Sequence, residues 1–240
     1  MTPKVQAPFF SVVIPTFNRA REIQLALEGL VAQSFSHFDV HVCDNGSTDN
    51  TKEVVEAYQS KLSLHYHRCE NSGGPARPRN IGIAQSTGEW VCFLDSDDGW
   101  FSNKLERVHA VAETSDIVYH DLALYEGGTP GTGLLRGSPF RSPVFQSLIL
   151  KGHGIPQSSA CVRRTILEKV GPISEDPELI AVEDFDLWMR IALATERFTY
   201  LPEVLGYYEN GGSSLSKGLV GRAERSARVN EKYRSLLPKR

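Results

Sequence analysis

Apolar positions recur along this chain in two periods, one suited to strands and one to helices. Phe9-Phe10-Ser11-Val12-Val13-Ile14 reads as a buried strand ended by Pro15, after which Ile23, Leu27, Leu30 and Val31 return at helical spacing. Phe38-Asp39-Val40-His41-Val42-Cys43 alternates as a second strand and closes in Asp44-Asn45-Gly46-Ser47-Thr48-Asp49. Asn45-Gly46 marks a turn there, and Ser47 or Thr48 is placed to cap a helix carrying Val54, Val55 and Tyr58. Residues 62–66 predict a third strand, followed by a glycine-containing loop at 71–75 and a helix running towards Ala84. Trp90-Val91-Cys92-Phe93-Leu94 is uninterrupted, as in a strand buried on both faces of a mostly parallel sheet. Strands alternating with helices at such short intervals predict βαβ units with right-handed crossovers.

After Asp98 the pattern loosens. It gives a helix over 104–112, a strand over 117–124, and a glycine-rich run from Gly127 to Gly133 that reads as a mobile loop. No internal repeat and no second domain boundary appear. With 240 residues, 40% of them hydrophobic, the chain suits one large α/β domain.

Composition narrows the function more than the fold. A formal net charge of -3 and a pI near 6.2 give the body of the protein no electrostatic footprint for nucleic acid. Cys43, Cys69, Cys92 and Cys161 are far apart and form no Cys-Xaa-Xaa-Cys pair, so buried reduced thiols are expected. No stretch approaches the roughly twenty apolar residues that span a bilayer. The apolar segment 9–14 runs into Pro15 without a cleavage site, and a cytoplasmic setting is expected. One local exception is the tail 217–240, where eight basic and two acidic residues give +6 beside a stripe of Leu219, Ala223, Ala227 and Leu237. It predicts a basic helix that packs on its own domain or on a second subunit in a homo-oligomer. Peripheral contact with an anionic membrane is the alternative.

The candidate chemistry sits at strand ends. The run 90–94 delivers Asp95, Asp97 and Asp98 to the carboxyl edge of the sheet, where open α/β sheets bind ligands. Hard oxygen donors suit Mg2+ or Mn2+ shared with phosphates, although Asp98-Gly99 also marks an ordinary turn. Pro15-Thr16-Phe17-Asn18-Arg19 and Asp44-Asn45-Gly46-Ser47 end two further strands. If the three strands are neighbours, one crevice gains the carboxylates, amides, hydroxyls and cations that a nucleoside diphosphate requires. The chain has no Gly-Xaa-Gly-Xaa-Xaa-Gly and no Walker pattern, which disfavours dinucleotide oxidoreductases and P-loop enzymes.

At about 100° per residue, Phe185, Trp188, Met189 and Ala192 share one helix face, with Glu183, Asp186 and Arg190 opposite and Asp184 at the apolar edge. The helix N-terminus would keep Asp184 ionised, as a general base must be; first-turn acids also serve simply to complement the dipole. Trp100 and Trp188 read as core or crevice walls. His65 and His67 share a strand face without a third ligand nearby in sequence, and His120 and His153 stand alone, so structural roles are expected.

From about residue 9 to 216 these features resemble the family 2 glycosyltransferases of the GT-A fold. The resemblance rests on five motifs in order: Pro15-Thr16-Phe17-Asn18-Arg19, Asp44-Asn45-Gly46-Ser47-Thr48-Asp49, Arg79-Asn80-Ile81-Gly82, Asp95-Ser96-Asp97-Asp98 and Glu183-Asp184-Phe185-Asp186-Leu187-Trp188. It implies one α/β, Rossmann-like GT-A domain over 1–216, with a donor part at about 9–98, a smaller antiparallel acceptor-side part at 99–216, and a helical tail at 217–240. The implied activity is metal-dependent, inverting transfer from a nucleoside-diphosphate sugar, UDP-sugar favoured, to an acceptor hydroxyl in glycan or cell-surface polysaccharide synthesis. Asp44 would read the base, Asp95 would contact ribose and metal, Asp97 would bind Mn2+ or Mg2+, and Asp184 would be the base. Pro15, Thr16, Phe17, Arg19, Asn45, Arg79 and Ser96 would line the donor site, with Glu183 and Trp188 on the acceptor side or in support. Asn45 departs from the family's usual second Asp, and Arg77 and Pro78 replace small residues; Arg77 is either a phosphate contact or a solvated charge. Two other readings share this inventory. One is a sugar nucleotidyltransferase, whose glycine-rich basic N-terminal loop is missing here; the other is a nucleotide-sugar-binding protein without turnover.

Overall fold

The four apolar runs of the first half form four parallel strands in a computed structural model that describes residues 7–152, 154–211 and 221–237. They are β1 (Phe10–Thr16), β2 (Phe38–Asp44), β3 (Leu64–Arg68) and β4 (Trp90–Phe93), joined through α1 (Ala20–Val31), α2 (Thr51–Glu56) and α3 (Ala76–Gln85). Every residue of β1 and β4 is buried. Because strand side chains alternate, Val13, Val91 and Phe93 enter one core while Val12, Ile14, Cys92 and Leu94 enter the other, and the sheet lies between the two.

The second half adds β5 (Gly99–Trp100), α4 (Lys104–His109), β6 (Ile117–Glu126), β7 (Thr129–Leu135), α5 (Val144–Lys151), β8 (Cys161–Arg163), α6 (Arg164–Val170), α7 (Glu183–Ala194), β9 (Phe198–Glu209) and α8 (Arg222–Arg234). The sheet order is β3-β2-β1-β4-β8-β6-β9-β5, with β7 on β6. The strands from β3 to β4 are parallel; β8 is antiparallel to β4 and β6, and β5 and β7 are antiparallel to β9 and β6.

Several local expectations are corrected. The run 127–133 is not an open loop: Gly127 and Gly128, both at positive φ, turn β6 into β7, and their N–H groups donate to the Glu209 carboxylate at 2.7 and 2.8 Å. Ser47 and Thr48 do not cap α2, because both are engaged with Asn18; Asp49 Oδ1 instead accepts from Thr51 N at 3.1 Å. The helix expected over 104–112 is shorter, and a 3-10 turn follows at Ala112–Thr114. Cys69 is only half-buried, whereas Cys43, Cys92 and Cys161 are buried.

Helix α7 is buried on both sides, including Glu183 and Asp186. The cover over Asp186 is α8, whose Lys232 Nζ and Tyr233 OH donate to Asp186 Oδ1 at 2.7 and 2.9 Å. Arg225 adds a bond to the Ile180 carbonyl and Arg228 an ion pair with Glu178, both at 2.7 Å. The described part of the basic tail therefore packs on its own domain; Ser216, Lys217, Leu219, Lys239 and Arg240 lie outside the described residues, as does His153. Among the described residues no helix is long and apolar enough to cross a membrane.

Candidate active site

The cleft forms where β1, β2 and β4 end side by side. Asn45 N donates to the Thr16 carbonyl at 2.8 Å, and the loops after β1 and β2 are joined by Asn18 N to Ser47 Oγ and Thr48 N to Asn18 Oδ1, each 2.8 Å. Asn18 takes a left-handed φ of 50°, which Asn tolerates better than most residues. Pro15, Thr16, Phe17, Arg19, Asn45, Arg79, Asp95, Ser96, Asp97, Glu183 and Asp184 all line one cleft of about 890 Å³.

Two expected site residues lie elsewhere. Trp188 is buried in the core with its ring edge-on to Phe93, 6.1 Å between centroids, so of its two expected placements it has the supporting one. Asp44 is 1% exposed and borders a separate cavity of about 670 Å³ beside α2 and β3. Its carboxylate already accepts from Tyr66 OH on Oδ2 and from Ser47 N at 2.7 Å on Oδ1, so a base must use its remaining lone pairs or displace Tyr66. Arg77 is exposed and does not line the cleft.

Asn45 explains its own departure from an acid. Its Nδ2 donates to the Gly74 carbonyl at 3.3 Å and to Asn71 Oδ1 at 3.4 Å, while its Oδ1 accepts from Ser72 N and Oγ at 3.0 and 3.1 Å. Only an amide can both donate and accept there, and the result is a fixed 71–74 loop.

Arg79 organises the centre. From the first turns of α3 it donates to Asp95 Oδ1 at 2.6 Å and to Glu183 Oε1 at 2.7 Å. Burial opposes its charge, but the carboxylates of Asp95 and Glu183 outweigh that and raise its pKa. Each terminal nitrogen thus gives an N–H to a carboxylate, and Arg79 holds Asp95 and Glu183 together at the cleft wall. Burial in turn raises the Glu183 carboxyl, with Arg79 opposing the rise and Asp184 adding to it.

The acidic turn divides its labour. Asp98 N closes the turn on the Asp95 carbonyl at 3.0 Å, and the buried Asp98 carboxylate accepts from Ser158 Oγ and from Glu209 N at 3.0 Å. It anchors the turn to β9. Asp97 faces Arg19 Nη1 at 3.2 Å. Burial raises the Asp97 carboxyl, the neighbouring Asp95 raises it further, and Arg19 opposes both.

Asp184 is the second residue of α7, and its Oδ1 accepts from Phe185 N at 2.8 Å. Ala181, three residues earlier and also in the cleft wall, holds a φ of 69°, a costly conformation for a residue with a Cβ.

Sequence reasoning missed Ser158 and Gln157, which belong to a segment without periodicity. Ser158 ties Asp95 N, at 3.1 Å, to Asp98. Gln157 lines the cleft with both polar atoms of its amide lacking a hydrogen bond. Leu122, Leu124 and Leu135 of the β6–β7 hairpin add an apolar part to the wall.

Residues 11–171 match the family model described as Glycosyl transferase family 2. Poly(ribitol-phosphate) beta-N-acetylglucosaminyltransferase TarS of Staphylococcus aureus is 36% identical over 218 residues, covering 88% of this chain and 37% of that protein. The amylovoran biosynthesis glycosyltransferase AmsB of Erwinia amylovora is 31% identical over 83% of this chain and 69% of its own. Among solved structures, S. aureus TarS 1-349 in complex with UDP-GlcNAc superposes with a TM-score of 0.76 at 28% identity, over 92% of this chain and 64% of that one. The mannosyltransferase PcManGT of Pyrobaculum calidifontis, in complex with GDP-Man and Mn2+, shares the fold with a TM-score of 0.71 at 20% identity, over 98% of this chain and 66% of that one. The mixed α/β architecture matches the GT-A fold structures of TarS. The chain spans a little over a third, 37%, of the curated TarS sequence.

Proposed function

The chain belongs to glycosyl transferase family 2, and from that premise we propose that it transfers a sugar from a nucleoside-diphosphate donor to an acceptor hydroxyl with inversion. The observation that carries this reading is the Arg79 bridge, which fixes the Asp95 side of the cleft against the start of the helix that bears Asp184. Asp184 then takes the proton from the acceptor hydroxyl as its oxygen attacks the anomeric carbon. A single displacement of this kind inverts that carbon. Arg19, beside Asp97, carries positive charge to the place where the diphosphate would lie.

Asp95 and Asp97 fit Mn2+ or Mg2+. Both are hard oxygen donors in the cleft, and they crowd negative charge that Arg19 only partly offsets. Ions of this type bind through one or two carboxylates plus substrate phosphates. When bound, the cation supplies electrostatic stabilisation to the departing diphosphate. Asp97 is the principal ligand in this reading and Asp95 is shared between ribose and metal, with Arg79 holding one of its oxygens.

In this reading Asp44, at the end of β2 behind Asn45, meets the base through the lone pairs that Tyr66 and Ser47 leave, and Gln157 offers its unpartnered amide to a sugar hydroxyl. The TarS complexes with UDP and UDP-GlcNAc make a UDP-sugar the first donor to try, and AmsB, named for amylovoran biosynthesis, and TarS, named for poly(ribitol-phosphate), favour a glycan or other polymer acceptor. The test is thermal stabilisation by a panel of nucleoside diphosphates with and without Mn2+, followed by assay of UDP release from UDP-sugars. Ligand linkage ranks the bases directly. Stabilisation by UDP that requires Mn2+ and disappears in Asp97→Ala is expected; binding without any release of UDP, even with acceptor glycans, would leave a sensor rather than a transferase.

A further inference from the structure

Away from the cleft, the sheet carries a second group of potential metal ligands that the proposed transfer does not use. Asp39, His41, His65 and His67 lie on paired strands, with His41 opposite His65 and Cys43 opposite His67 in the β2–β3 register. His67 is not part of this group, but His65 gains two potential co-ligands, Asp39 and His41, from the neighbouring strand. One ligand atom from each of Asp39, His41 and His65 lies within 4.8 Å of the others, and these are the only three His, Cys, Asp or Glu residues grouped in this way among the described residues. The cleft carboxylates form no such trio. At about 3.3 Å of rise per residue, Asp39 stands roughly 16 Å along β2 from Asp44, at the opposite end of the strand.

We infer that Asp39, His41 and His65 form a Zn2+ site that clamps the edge strand β3 to β2. His41 Nε2 stands 3.2 Å, and His65 Nε2 4.0 Å, from Asp39 Oδ2. Ligand atoms about 2.0–2.1 Å from a tetrahedral ion are separated by roughly 3.3 Å, so the trio is close to a bound geometry. Closing it takes a rotation of His65, whose ring is stacked at 25° to that of His41 and whose side chain is 52% exposed. That exposure also provides the entry path. The donor set, two imidazoles and one carboxylate, selects a borderline transition ion over the hard Mg2+.

The surroundings resemble those of a built site. His41 Nδ1 lies 3.1 Å from His67 Nε2, so when His41 Nε2 binds the ion its Nδ1–H donates to His67 and the tautomer is fixed. Asp39 Oδ1 is buried and has no hydrogen-bond partner. A carboxylate with coordinating capacity left, held beside two imidazoles, is poised for a cation. An edge strand also gains most from such a staple, because it is bonded to the sheet on one side only.

The experiment is titration of the untagged full chain with Zn2+ against a chromophoric chelator, with thermal denaturation in parallel. One equivalent of Zn2+ should bind at this trio and raise Tm, and excess Mg2+ should not displace it. His67→Gln should weaken binding by about 10–100-fold, as removal of an outer-shell partner does, and His65→Gln by more. His65→Gln should match the wild-type Tm without metal, since the His65 side chain is 52% exposed, and Asp97→Ala should keep the site intact. Absence of stoichiometric Zn2+ binding, binding unchanged in His65→Gln, or binding lost in Asp97→Ala would each overturn the inference.

Discussion

Arg79 and Glu183 form a 2.7 Å ion pair across 104 residues of sequence, with each side chain only 5% exposed. The pair joins α3, which packs on β1 and β2, to the helix that carries Asp184. Breaking a buried pair on one side strands the other charge, which costs about 3–5 kcal/mol. Arg79→Met should lower the unfolding free energy in urea by that order and abolish transfer. Arg79→Lys keeps the charge but cannot bridge Asp95 and Glu183 with one rigid fork, so it should be intermediate in stability. The double variant Arg79→Met/Glu183→Gln should cost less than the sum of its parts; strict additivity would refute the coupling.

Asp184→Asn preserves size and the ability of Oδ1 to accept from Phe185 N, but it removes the proton acceptor. The expected result is a loss in kcat of about 10²–10⁴-fold with the UDP-sugar Kd unchanged, measured by turnover assay and calorimetry. Normal turnover would remove Asp184 as the base.

The strand ends that build the cleft were legible because the apolar runs of β1 and β4 and the alternating pattern of β2 stop abruptly at Pro15, Asp95 and Asp44. Long-range partners were not. Glu183 and Asp186 read as the polar side of a helix, yet both are buried, because their partners lie 104 residues upstream and 46 to 47 residues downstream. The same limit hid His41 from His65, and it hid Ser158 from the acidic turn it supports. Periodicity reports the neighbours of a residue on its own element, not the groups that another element brings to it. The β6–β7 hairpin was obscured for a different reason: Gly131 and Gly133 fall inside the strand pattern, where glycine reads as a loop.

Asn45→Asp tests whether the departure at this position is structural. The substitution turns a donor into an acceptor facing the Gly74 carbonyl and Asn71 Oδ1, and so forfeits two bonds and adds repulsion. A loss of about 1–3 kcal/mol in unfolding free energy is expected, as for a buried polar group left without its partner. Limited proteolysis should also show earlier cutting within 71–74. Equal stability and an unchanged digestion pattern would mean that the amide is not what fixes the loop.

The docking of α8 on α7 predicts an acid-sensitive component of stability. Asp186 is 1% exposed and accepts from Lys232 Nζ, Tyr233 OH and Arg190 Nε, the last at 3.0 Å. Burial pushes its pKa up, but hydrogen bonds from Lys232 and Tyr233 and the charges of Arg190 and Lys232 outweigh it, and the net shift is downward. A carboxyl whose folded pKa lies below the unfolded value of about 3.9 stabilises the native state fully above that pH and loses the contribution as pH falls through the folded value. The wild type should therefore exceed Asp186→Asn in unfolding free energy by about 1–3 kcal/mol at neutral pH, the range for hydrogen bonds to a charged group. Urea melts repeated below pH about 4 should show the gap closing. Tyr233→Phe, which removes one donor and no charge, should cost about 1 kcal/mol at every pH where Asp186 is ionised. A gap between wild type and Asp186→Asn that stays constant into strong acid would show that the carboxylate charge does not hold α8 in place.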